Sequence, residues 1–143
     1  MAKEAPFSED EIAQLKLKLS KNHQTDKDWQ AIGDLFQGKF LYTMQPKDRF
    51  LMEQFCFQGV LQAKGNLIVF TNPKDCVEYG KQHPVALSGG YLEMGLIPFQ
   101  TVKNIADDHK ISALIDVKTG LNEKYLTYDG KNQSFHVFII QNL

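Results

Sequence analysis

The sequence predicts an α+β domain: a mixed, largely antiparallel sheet with helices packed on it, preceded by an N-terminal helical pair. Three observations lead there. Helix-period and strand-period stretches follow one another without a strict strand–helix–strand repeat. The first 38 residues carry two capped helical patterns in succession. Two near-continuous apolar runs, 67–70 and 111–117, read as strands covered on both faces. At 143 residues and 43% hydrophobic content, the chain suits one domain, 1–143, divided into a helical segment 1–38 and an α+β core 39–143.

The elements follow from local chemistry. Ser8 and Glu11 form a capping box, and Ile12, Leu15 and Leu19 then share one helical face, with the stop near Asn22. Thr25 caps a second helix carrying Trp29, Ile32, Leu35 and Phe36, which Gly38 closes. Whether this pair packs on the core or forms a separate arm is open at this level. Residues 39–44 are strand formers and 45–48 a loop, while 50–54 are ambiguous. Residues 55–61 read as one strand, and Lys64-Gly65-Asn66 as a hairpin turn into the run 67–70. Asn72 then caps a helix with Pro73 in its first position and Asp75 in its third, closed by Gly80 or by His83-Pro84. Residues 91–97 suit a hairpin or one irregular strand. Pro98 opens a helix to about Asp108, where Asp107 and Asp108 oppose the negative end of the dipole and favour an early end. Asp129-Gly130-Lys131-Asn132 is a hairpin turn between two final strands. The last strand is apolar enough to be internal, or covered by a helix or a partner.

A strand ending in Val69-Phe70-Thr71-Asn72, then a short helix carrying Tyr79, is similar to the N-terminal domain of the SseB family of small bacterial proteins. Residues 102–120, VKNIADDHKISALIDVKTG, resemble the helix and following strand of that domain. The family usually places an Asn-Pro-Gly-like turn after that strand, where this chain has Asp116-Val117-Lys118-Thr119-Gly120. The resemblance covers roughly residues 36–120. It implies an α+β domain whose biochemical role is poorly defined, and it brings no catalytic residue set.

Several function classes lose support. Sixteen Lys plus Arg against 17 Asp plus Glu give a net charge of −1, no footprint for nucleic acid, and Arg49 is the single arginine. No apolar run approaches the ~20 residues of a membrane span, and the charged N-terminus lacks a signal-peptide core. A cytoplasmic location is the expectation, with Cys56 and Cys76 as reduced, packed thiols. His83, His109 and His136 lack metal-ligand spacing. Ser88-Gly89-Gly90 matches no phosphate loop. No catalytic, cofactor-binding or metal residue is assigned, and no cofactor is expected.

What remains is aromatic and apolar: 11% aromatic residues, with Tyr42, Tyr79, Tyr91 and Tyr125 as surface candidates beside Met44, Met52 and Met94. The leading expectation is a non-enzymatic protein-interaction module of the SseB-like type. Its partner is another protein or a second copy, and its surface is drawn from Tyr79, His83, Tyr91 and Met94. One alternative is a small enzyme or ligand-binding protein with a site around His109, Asp116 and Asp75. A second is an immunity or secretion-associated partner-binding protein.

Overall fold

Strand β1 (Ala5–Pro6) leads into α1 (Glu9–Ser20), which starts where its capping box places it. Ser8 Oγ accepts from the Glu11 N–H and Glu11 Oε1 accepts from the Ser8 N–H. The other Glu11 oxygen is ion-paired with Lys39, which ties the start of α1 to the next strand. Thr25 caps α2 (Asp26–Phe36) by accepting from the Asp28 N–H. The computed structural model describes residues 5–21, 25–46, 56–63, 65–81, 92–117 and 124–139. Expectations for 50–54, for the loop at 88–90, and for His83 and Tyr91 lie outside them.

The helical pair is no separate arm. Leu15, Ile32 and Phe36 are buried in the main core, and Phe36 packs at 5.0 Å from Phe7 and from Phe99. Two edges of sequence-level reading change at this point. Strand β2 (Lys39–Pro46) runs through Gln45 and Pro46, expected in a loop, because both pair with a later strand. Residues 55–61 are not one strand but a hairpin, β3 (Cys56–Phe57) and β4 (Val60–Ala63). Gln58 and Gly59 both take positive φ, 51° and 86°, the backbone that a tight two-residue hairpin demands.

Strand β5 (Asn66–Val69) is central, antiparallel to β4 and parallel to β7 (Ser112–Ile115). Between them lie α3 (Pro73–Lys81), β6 (Leu92–Pro98) and α4 (Phe99–His109). Helix α3 does not stop at Gly80. Gly80 is buried inside it, and a Cβ there would meet Met44 Cε at 2.5 Å, so the glycine lets α3 sit close on β2. Helix α4 does not end early either. Asp107 accepts from Lys103 Nζ (2.9 Å) and from the Tyr128 hydroxyl (2.7 Å), which outweighs its unfavourable dipole position.

The described strands form two sheets, ordered β1-β2-β6 and β3-β4-β5-β7-β8-β9, with β8 (Lys124–Asp129) and β9 (Ser134–Ile139) as the final hairpin. The mixed sheets, mostly antiparallel with one parallel pair at β5 and β7 and another at β1 and β2, make this an α+β fold. Strand β9 closes the order of its sheet rather than lying inside it. Helix α2 covers it at Phe135, which packs at 5.4 Å from Phe36 and lies 3.5 Å from where a Cβ on Gly33 would stand.

The two sheets are joined where β2 crosses β5. Tyr42 and Phe70 exchange both backbone hydrogen bonds at 2.8 Å. Beside them the buried Thr43 hydroxyl accepts from the Leu61 N–H (3.0 Å) and donates to the Ile68 carbonyl (3.1 Å). One core lies around Phe36, Phe99 and Tyr128, and the other around Met44, Phe70 and Cys76 under α3.

Candidate functional site

Two places merit attention as sites, and they differ in kind. The first is polar. Parallel strands β5 and β7 end side by side. In open α/β sheets that position is where ligands gather. Here Asp116 takes positive φ (58°) and both its carboxylate oxygens are held by Thr71, from the N–H at 2.7 Å and the hydroxyl at 2.6 Å. Its own N–H donates to the Val69 carbonyl. Burial pushes the Asp116 carboxyl above its ordinary value. The two Thr71 bonds hold it down, and the charge of Asp75 pushes it further up.

Asp75 and Cys76 reach this cluster from the first turn and a half of α3. Asn72 Oδ1 accepts from the Lys74 N–H at 2.8 Å, the cap that sets the helix. Cys76 is fully buried, and burial, then the nearby Asp116 charge, pushes its thiol up to about 12. A thiol held protonated at neutral pH is neither a nucleophile nor a metal ligand. Cys56, also buried, is pushed up to about 11 by burial.

His109 is not part of this cluster. It ends α4, just before β7 begins, so it lies at the opposite end of that strand from Asp116. Its ring stands edge-on to Phe57 at 4.6 Å, with Nε2 3.1 Å from Gln58 Nε2. Of the three residues His109, Asp116 and Asp75, the fold brings only the two carboxylates near each other. Among the described residues no group of three or more His, Cys, Asp or Glu could hold a metal ion. His136 lies on β9, opposite Thr127 of β8.

The second place is apolar. Strand β6 pairs with β2 along its whole length, and no described strand pairs with its other side. Its odd-numbered face carries buried Ile97 opposite buried Leu41. Its even-numbered face carries Met94 opposite Met44 and Leu96 opposite Tyr42. Met44 is buried, but Met94 and Leu96 are 43% and 52% exposed, which leaves two large apolar side chains in water on one strand. Helix α3, packed nearby, adds exposed Val77 and a shallow open depression lined by Pro73, Lys74, Val77, Glu78 and Lys81.

Of the residues expected on a surface, Met94 is exposed on this strand. Tyr79 is half-buried, its ring 5.5 Å from Phe70 inside the second core, and burial raises its phenol. Leu96 was missed by sequence reasoning. The signal was the even-numbered apolar repeat Leu92, Met94, Leu96. No protein-family model, curated protein or solved structure matches this chain. No described helix is long and apolar enough to cross a membrane.

Proposed function

We propose that this chain is a non-enzymatic protein-binding module, of the SseB-like type in its α+β organisation, and that it binds through the outer strand β6. The observation that carries this reading is the exposure of Met94 and Leu96 together on one face of a strand with an unpaired described edge. A strand edge offers a row of backbone donors and acceptors to an incoming chain, and alternate side chains give it selectivity. An exposed apolar pair in that position costs solubility unless something covers it. The polar cluster supports the same reading from the other side. Both Asp116 oxygens accept from Thr71, and burial pushes the Cys76 thiol up, away from thiolate chemistry at neutral pH.

The test is capture of partners by tagged wild-type chain and by Leu96→Lys, side by side, in the cytosol that is the expected location. The reading expects at least one chain, a native copy included, retained by wild type and lost by the variant. Equal retention by both would remove β6 from the account. Turnover of a small substrate that disappears in a folded Asp116→Asn or His109→Ala variant would instead establish the enzyme alternative.

A further inference from the structure

We propose that Met94 is a site of reversible oxidation, and that its sulfoxide turns the exposed apolar face of β6 polar. As a control of binding this rests on the reading of β6 as the binding face, whereas the chemistry stands without it. The described residues carry four sulfur-bearing side chains: Met44, Cys56, Cys76 and Met94. The first three are buried, and Met94 is 43% exposed. Peroxides attack a cysteine as its thiolate, and burial holds both thiols protonated, pushed up to about 11 for Cys56 and about 12 for Cys76. A thioether has no proton to lose, so access decides between the two methionines.

Met44 and Met94 are direct cross-strand partners on one face of the β2–β6 pair, yet Met44 is only 6% exposed. Helix α3 makes the difference. A Cβ on Gly80 would lie 2.5 Å from Met44 Cε and 3.5 Å from its sulfur, so close packing leaves no room for an added oxygen there. Met94 has water on that side instead. Oxidation at Met94 therefore spares the core and changes the surface, because a sulfoxide is polar where the thioether was apolar. Leu96, its exposed neighbour on the same face, has no such chemistry. One sulfur atom thus sets how apolar the face is.

The step balances with hydrogen peroxide as oxidant. The Met94 sulfur attacks one peroxide oxygen, the S–O bond forms as the O–O bond breaks, and the sulfur gives up two electrons. The proton on the transferred oxygen passes to the departing one, which leaves as water. A dithiol-dependent methionine sulfoxide reductase reverses it: two thiols become a disulfide, and the sulfoxide oxygen leaves as water.

The experiment treats wild type and Met94→Leu with hydrogen peroxide and follows three readouts. Peptide mass mapping is expected to show Met94 gaining one oxygen roughly ten-fold or more faster than Met44, since oxidation follows exposure. Retention on a phenyl column is expected to fall in oxidised wild type, with unchanged circular dichroism, and to return after treatment with methionine sulfoxide reductase. Met94→Leu isolates this shift from oxidation at Met1 and Met52, and its own retention should not respond to peroxide in the same way. Met94 oxidising no faster than Met44 overturns the proposal, as does a retention shift of equal size in Met94→Leu. The third readout is capture of partner chains by oxidised wild type. A chain that Leu96→Lys loses but oxidised wild type keeps overturns the control of binding and leaves β6 as the binding face. Equal capture by wild type and Leu96→Lys removes the β6 reading instead, and mapping and retention then decide the oxidation site alone.

Discussion

At the ends of β5 and β7 the carboxylate is bonded from within the fold, whereas on β6 two large apolar side chains stand exposed. At the first, Asp116 shows the features that draw attention in an unfamiliar structure: a carboxylate with a raised pKa, a left-handed backbone, and a thiol and a second acid nearby. The carboxylate has internal partners. Thr71 occupies both carboxylate oxygens, and the Val69 carbonyl takes the Asp116 N–H. The group closes the end of a parallel pair and holds the loop that caps α3. On β6 the apolar Met94 and Leu96 stand in water. A perturbed pKa is a pointer to a site, and structural bonding networks perturb pKa values as well.

That contrast can be broken by making each region behave like the other. The largest effect is expected from Asp116→Leu. It strips Thr71 of its acceptor and forces a bulky side chain to φ 58°, for a loss of about 2–4 kcal/mol in denaturant unfolding. Thr43→Val keeps the shape at the joint between the sheets but orphans the Leu61 N–H and the Ile68 carbonyl. It is expected to cost about 2 kcal/mol in the same measurement.

A pH series sharpens the comparison. Because the Asp116 carboxyl is raised in the fold, the folded chain holds that proton more tightly than the unfolded one. Its contribution is fully present below the ordinary carboxylate value of about 4 and is lost as pH rises through the raised folded value. The stability advantage of wild type over Asp116→Asn is therefore expected to narrow as pH rises from about 4 toward 7. An advantage that grows with pH would mean the carboxylate is stabilised as an ion. The smallest stability effect is expected at the edge itself, where Leu96→Lys should stay within about 0.5 kcal/mol of wild type.

Much of the framework was legible because local chemistry and tertiary packing agree. The capping box at Ser8 and the caps at Thr25 and Asn72 start α1, α2 and α3 where the residues say they should. The run at Leu67 became a central strand, and Asp129-Gly130 a hairpin. Gly130 is held there by more than turn chemistry, since a Cβ on it would lie 2.1 Å from the Ala106 carbonyl oxygen. The misreadings occur where a distant contact decides. Gly80 has the look of a helix terminator and is a packing glycine against Met44, far away in sequence. Asp107 has the wrong charge for its helix end and is held by Tyr128. The Gln58-Gly59 turn was invisible because Gln is a poor choice for positive φ, and only the pairing of β3 with β4 explains it. Of the candidate surface, Met94 was legible as a residue, but its exposure was not. That depends on β6 being the outermost described strand of its sheet, which no local signal records.

The most direct test of the account sets Leu96→Lys against Asp116→Asn in one binding experiment. Each folded variant is compared with wild type for sedimentation mass and for capture of partner chains. The account predicts that Leu96→Lys loses association while Asp116→Asn, though less stable, keeps it. Association lost in folded Asp116→Asn and kept in Leu96→Lys would contradict it, and would move function from the edge of β6 to the ends of β5 and β7.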